Sequence, residues 1–312
     1  MSGNGGVPGK EGARAGGVVP TLAELVALRG QARGAPAPRH GRHGLHGPAP
    51  SNLHGRGMEY AESREYVAGD DVRHMDWRLT ARSGRAHTKL FQAERERLTL
   101  LVADTAPALY FGTRARFKSV QAARAGAVAA WSAVMAGDRV AALRGGEPAI
   151  PPASGARGAM RVLDALVRWY AHPPPDDAGL GMALEQAQRL LRPGTRLVVL
   201  ADPQAASQVP AQRWRALARH REATLVLLQD PLEAMPPRRM LAFAVGKRRV
   251  QLALDRGDVR ERWEAAFAGP LRMLAQPLPG LGWRVRVLSS DAPVQHGPWA
   301  WDGDGAPMAE RG

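Results

Sequence analysis

The chain has 312 residues, 45% hydrophobic and 23% charged, which is enough apolar material for a sizeable core. It contains no cysteine, which excludes disulfide frameworks, thiol nucleophiles and thiolate metal sites and fits a reducing cytosol. A formal charge of +14 could hold nucleic acid or an anionic surface, but the arginines behind it are scattered over alanine-rich segments rather than gathered in one tract.

Residues 1–50 read as largely disordered or loop, with one short helix over 21–28. Thr21 is its expected N-cap and Glu24 completes a capping box. No secretory leader and no apolar run of about 20 residues is seen, so a soluble, cytoplasmic chain without a membrane span is expected. His40, His43, His46 and His54 fall in a Gly/Pro/His/Arg loop. They have no carboxylate or thiol partner and no helical spacing, and they read as incidental rather than as a metal site.

After a signature segment at 51–97, strands and helices alternate through a domain expected over 98–290. Strands are predicted at 98–103, 139–143, 196–201, 224–228 and 283–288, with a short edge strand near 149–150. Helices are predicted at 116–136, 159–169, 182–191, 211–220 and 259–274. A hairpin over 240–245 and 249–254 turns at Gly246-Lys247, and residues 291–312 read as a flexible tail. This alternation implies right-handed crossovers and a doubly wound, mainly parallel sheet with helices on both faces.

In such sheets the working groups lie at the carboxyl ends of the strands, near the switch in strand order. Three strands here end in aspartate, namely Asp104, Asp202 and Asp230. If the first two strands are neighbours, Asp104 and Asp202 converge and could bind Mg²⁺ or carry acid–base steps. Aspartate also suits turns and helix caps at strand ends, and Asp202-Pro203 and Asp230-Pro231 fit that role. No glycine-rich dinucleotide turn, phosphate-cradling loop, Gly-x-Ser-x-Gly elbow or His-Glu-x-x-His pair is present.

The densest chemistry lies in residues 56–97. Glu59-Tyr60, Arg64-Glu65-Tyr66, Gly69-Asp70-Asp71, Arg73, Asp76-Trp77, Thr80, Arg82 and Glu94-Arg95-Glu96-Arg97 mix both charges with aromatic rings. Gly69 suits a turn of positive φ. The acids should stay ionised beside so many guanidinium groups, which points to a polar brace or docking surface rather than to general-acid work. Arg64, Arg73 and Arg82 are expected to pair with Asp70, Asp71 and Asp76.

These residues, with Phe111-Gly112-Thr113-Arg114, resemble the signature of the domain of unknown function 58 family over about residues 20–250. The resemblance implies a von Willebrand factor A-like domain and a MoxR-type AAA+ ATPase as partner, acting on an unknown client protein. It also implies an Asp-x-Ser-x-Ser metal-ion-dependent adhesion site. Here Asp104 is retained, but both serine positions are alanine, Ala106 and Ala108. No tightly bound metal is therefore expected, and at most weak Mg²⁺ binding through Asp104, Thr105 and Asp202. The resulting expectation is a non-enzymatic interaction module that docks through the signature residues and the domain crest. The alternatives are a metal-dependent hydrolase or transferase using the strand-end aspartates, and a nucleic-acid-binding protein.

Overall fold

The computed structural model describes residues 17–34, 58–93, 97–245 and 248–294, and the chain divides into two compact units. One unit spans 40–96, and the other comprises 1–39 with 97–312. The larger unit opens with α1 (Leu22–Ala27), where Thr21 Oγ1 accepts the Glu24 N–H as predicted. The other half of the expected capping box is replaced by an ion pair from Glu24 to Arg124. Leu25, Leu28 and Ala32 are buried in the main core, so the helix expected over 21–28 packs on the domain, and the order continues through a 3₁₀ turn over Leu28–Gly34 that the sequence reading places partly in a loop.

The smaller unit is an antiparallel hairpin of β1 (Met58–Glu65) and β2 (His87–Ala93), with α2 (Trp77–Ser83) in the connection. Neither β1 nor α2 is predicted from periodicity. Charged residues alternate too closely along β1 for an apolar face to show, and α2 is too short for a helical stripe.

The larger unit resumes with β3 (Leu98–Ala103), α3 (Lys118–Met135), β4 (Arg139–Arg144), β5 (Ile150–Ala153), α4 (Gly155–Ala171), α5 (Gly179–Leu190) and β6 (Arg196–Ala201). It continues through α6 (Pro203–Ser207), α7 (Ala211–Ala218), β7 (Glu222–Gln229) and α8 (Pro231–Ala234). A second hairpin follows, β8 (Met240–Val245) with β9 (Arg248–Ala253), then α9 (Gly257–Ala275), α10 (Pro277–Gly280) and β10 (Trp283–Ser289). Six strands form one sheet in the order β10-β7-β6-β3-β4-β5, all parallel except the edge strand β5. The strand order reverses direction at β3 and β6, which are direct neighbours.

Side-chain alternation along the strands divides the interior into two layers. Leu101, Ala103, Val198, Leu200, Val226 and Leu228 face α1, α3 and α4. Leu100, Val102, Leu197, Val199, Leu225 and Leu227 face the layer of α5, α7, α9 and α10. Both faces of β3 and β6 are buried, which explains their apolar runs Leu100–Ala103 and Leu197–Ala201. Helix α3 is buried on nearly all sides, and its alanines and Gly126 let it approach Leu166 of α4 and Leu200 of β6. No described helix is long and apolar enough to cross a membrane.

At the amino-terminal ends of the strands, Arg196 bridges Asp138 at 3.0 Å and Glu222 at 3.1 Å, and Arg97 adds a second bond to Glu222. The chain after β10 is held as well. Arg116 and Gln121 donate to the carbonyls of Ser289, Ser290 and Ala292, and Val294 is buried. The tail predicted from 291 is thus anchored as far as 294, and residues 295–312 lie outside the described range.

Gly158 on α4 tests how tight this packing is. A Cβ there would lie 2.2 Å from the Ala153 carbonyl oxygen, which is backbone and cannot yield cheaply. Helix propensity alone would make Gly158→Ala stabilising by about 1 kcal/mol. Overpacking opposes this with about 1–3 kcal/mol and a local shift of the backbone. Urea unfolding of Gly158→Ala should therefore show net destabilisation.

Candidate functional site

The crest of the sheet is built from the residues that end β3, β6 and β7. Asp104 follows β3 and Asp202 follows β6, and pairing of these strands brings the two together as the sequence suggests. Asp104 is only 1% exposed. Its Oδ1 accepts the Ala106 N–H at 3.0 Å and its Oδ2 accepts the Asp202 N–H at 2.9 Å. The carboxylate therefore links the two central strands across the switch point. Burial pushes its pKa up to about 7, against the pull of those two N–H groups, with Asp202 and Asp177 adding repulsion.

Asp202 caps α6, with Oδ1 on the Gln204 N–H at 2.8 Å. Its Oδ2 accepts from Lys118 Nζ at 2.7 Å. The same ammonium donates to Glu233 Oε1 at 2.6 Å, and all three side chains are almost wholly buried. Burial alone would lower the Lys118 pKa, but Asp202 and Glu233 outweigh it, so the lysine stays charged. Glu233 Oε2 takes the Asp230 N–H at 2.9 Å, closing the capping box of α8.

Asp230 completes the crest. Its Oδ1 accepts from the Thr113 hydroxyl at 2.5 Å and the Leu232 N–H at 3.0 Å. Its Oδ2 accepts from the Thr113 N–H at 3.0 Å and the Ser290 hydroxyl at 2.8 Å. Burial would raise its pKa, but these donors hold it below the usual carboxylate value. Phe111-Gly112-Thr113 thus has a structural meaning, since Thr113 ties the loop before α3 to the ends of β7 and β10. Gly112 lies where a Cβ would meet the Arg116 carbonyl oxygen at 2.2 Å.

Thr105 does not turn toward Asp202. Its hydroxyl donates to Asp177 Oδ1 at 3.0 Å, and Arg144 at the end of β4 holds Asp176 at 2.9 Å and 3.0 Å. The set Asp104, Thr105 and Asp202 therefore does not converge on one point. Ala106 and Ala108 supply no side-chain oxygen, both Asp104 oxygens face N–H donors, and an ammonium sits on Asp202. These donors do not fit a divalent cation. No cluster of three or more His, Cys, Asp or Glu side chains suited to a metal occurs among the described residues.

In the smaller unit the signature residues build their own frame. Glu59 and Tyr60 lie in β1, opposite Gln92 and Phe91. Arg64 donates to Asp70 Oδ1 at 2.7 Å, and Asp70 Oδ2 accepts the Val67 N–H at 3.0 Å. The Tyr66 N–H bonds the Ala86 carbonyl, and Gly69 has φ +108° in the turn, as its sequence position implies. Asp71 caps a short 3₁₀ turn over Val72–His74 and lies 3.6 Å from Arg73.

Asp76 corrects the sequence reading. It does not pair with Arg82 but caps α2, accepting the Leu79 N–H at 3.1 Å and the Ser63 hydroxyl at 2.7 Å. An exposed ion pair with Arg82 would contribute little against those two bonds. Thr80 Oγ1 accepts the His87 N–H at 3.0 Å. The Leu79 N–H and Ser63 keep Asp76 below the ordinary carboxylate pKa, as the Val67 N–H and Arg64 do for Asp70. Arg82 and Trp77 are exposed, Trp77 to 67%. Glu94 lies outside the described residues.

Sequence reasoning missed Lys118 and Glu233. Two signals were available: a lysine where arginine dominates, near the start of a long alanine-rich helical segment, and Asp230-Pro-Leu-Glu233, which has the spacing of a capping box.

Fold and site together define a doubly wound α/β protein whose crest is closed by an internal ion network. The family model described as "Protein of unknown function DUF58" matches residues 62–269, more than half of the sequence, and the chain belongs to that family. Similar proteins include Uncharacterized protein Mb1516 of Mycobacterium bovis and Uncharacterized proteins MT1527 and Rv1480 of Mycobacterium tuberculosis. Each is 31% identical over 201 residues, and the match covers 62% of this chain and 62% of the relative. No solved structure matches the chain at a significant level.

Two outcomes follow from the crest. Lys118→Met leaves the Asp202 and Glu233 carboxylates buried without a counter-charge, and should cost about 3–5 kcal/mol in urea unfolding. Adding Glu233→Gln should recover part of that loss. For Asp104, the folded pKa stands above the unfolded value of about 3.9. Its contribution to stability is then fully present below that value and is lost as pH rises toward 7. The stability of the wild type relative to Asp104→Asn should fall across this window, by as much as about 4 kcal/mol. A flat or rising difference contradicts the assignment.

Proposed function

We propose that this protein is a non-catalytic interaction module with a von Willebrand factor A-like domain, and that it docks a MoxR-type AAA+ ATPase or its client through the signature segment and the domain crest. The observation that carries the reading is the state of the crest carboxylates. Both oxygens of Asp104, Asp202, Asp230 and Glu233 accept hydrogen bonds from resident donors. A hydrolase or transferase needs a carboxylate that can take a proton from substrate or hold a metal at an open position. Asp104 has a suitable pKa, but it is buried and faces two N–H groups of its own chain.

The strand order and the antiparallel edge strand β5 support the von Willebrand factor A-like reading, as does an aspartate after the first strand of the sheet. The signature segment supports docking. Its aspartates are engaged in capping and turn formation, which fixes the backbone, while Trp77, Arg78 and Arg82 are presented outward. Trp and Arg are residue types enriched where protein partners bind tightly.

The test is size-exclusion chromatography and biolayer interferometry of the purified chain with a MoxR-type ATPase from the same source, in the apo, ADP and ATP-analogue states. A complex should form in at least one state and weaken at least tenfold with Trp77→Ala. No complex in any state would overturn the proposal.

A further inference from the structure

The hairpin of β8 and β9 forms a sheet of its own, and no other described strand pairs with either edge. Its base is fixed, because the Arg260 guanidinium donates to the carbonyls of Pro236 and Leu254 at 3.1 Å and 3.2 Å. One face is held too: Phe243 packs on Trp263 at 5.7 Å between ring centroids, and Trp263 packs on Phe267 at 4.6 Å. The hairpin is thus a rigid ribbon rather than a loose loop.

The ladder shows which backbone groups remain open. The Leu254 N–H donates to the Arg239 carbonyl at 3.2 Å, which makes those facing residues a hydrogen-bonded pair. Alternation then places Leu241, Phe243 and Val245 in hydrogen-bonded pairs with β9. The N–H and C=O groups of Met240, Ala242 and Ala244 point the other way, to the outer edge of β8. These three side chains are also exposed.

Natural edge strands are usually guarded by charge, proline or cover. The outer edge of β9 carries Arg249 and Gln251. That of β8 has no such guard among the described residues: Met240–Val245 contains neither a charged residue nor proline, and no described strand covers it. Positive charge is nevertheless concentrated around it. From Pro236 to Leu254 the sequence holds Arg238, Arg239, Lys247, Arg248 and Arg249 and no carboxylate. Arg238, Arg239 and Arg249 are exposed and have no acidic partner among the described residues. Met235, exposed to 79%, lies beside them in sequence.

We infer that β8 is an acceptor strand: its open edge takes an extended, acidic segment of a partner protein as an added strand, and the flanking arginines pair with that segment's carboxylates. An extended peptide offers a matching row of backbone donors and acceptors. A nucleic acid offers none, and the aromatic ring of the hairpin is turned inward to Trp263 rather than presented for base stacking. The hairpin lies outside both the signature segment and the crest, so this inference stands or falls separately from docking of the ATPase.

The probe is a fluorescein-labelled peptide of alternating glutamate and valine, titrated against the full chain by fluorescence anisotropy. Binding is expected, and it should weaken at least tenfold with the pair Ala242→Pro and Ala244→Pro. These prolines remove outward N–H groups while sparing the ladder. Arg238→Glu with Arg239→Glu should weaken it to a similar degree. In the wild type, the peptide should slow amide exchange at Ala242 and Ala244 and leave the already bonded Leu241 and Phe243 unchanged. Absence of peptide binding overturns the inference, as does binding that survives the prolines. So does preferential binding of DNA or anionic vesicles that is insensitive to the prolines, or a homodimer that the prolines abolish.

Discussion

A lysine ammonium held between two carboxylates in a dry interior is costly to form and far more costly to leave half made. Lys118, Asp202 and Glu233 stand in that relation, and the crest is organised around them. Asp202 caps α6 and receives α3 through Lys118, while Glu233 closes the cap of α8 and receives the same ammonium. One cation therefore joins the start of a buried helix to the ends of two sheet strands. Asp104 adds the link between β3 and β6, and Asp230 adds the loop before α3 and the end of β10.

The arrangement changes what the switch point of a doubly wound sheet can do. In folds of this kind that position is where ligands gather, because helix ends and strand ends leave unsatisfied groups there. Here those groups are satisfied from within the chain. The crest is thus a base satisfied from within, and in the proposed reading docking there and in the signature segment rests on outward-facing side chains rather than on the buried carboxylates. The signature hairpin follows the same logic on a smaller scale. Asp70, Asp71 and Asp76 close turns and caps, while Trp77 and nearby arginines face solvent.

Much of the fold was legible because strands buried on both faces leave unbroken apolar runs, as in Leu100–Ala103 and Leu197–Ala201, and because Pro and Gly mark the breaks between elements. The hairpin at 240–253 and the strand-end aspartates were legible for the same reason. The small helix α2 was not, since seven residues show no helical period and only the Asp76 cap betrays it. The contacts that bring Lys118 to Asp202 and Glu233 span 84 and 115 residues, and no local pattern encodes such a meeting. The choice of Asp76 between a guanidinium and a helix end depends on geometry that composition does not carry.

The claim that the crest is closed by its own cation is tested most directly by titrating the wild-type chain with Mn²⁺ and following free metal by electron paramagnetic resonance. With Lys118 on Asp202 and both Asp104 oxygens facing N–H groups, the free Mn²⁺ signal should track that of buffer, with no saturable site. One equivalent of tightly bound Mn²⁺ that disappears with Asp104→Ala would contradict the account.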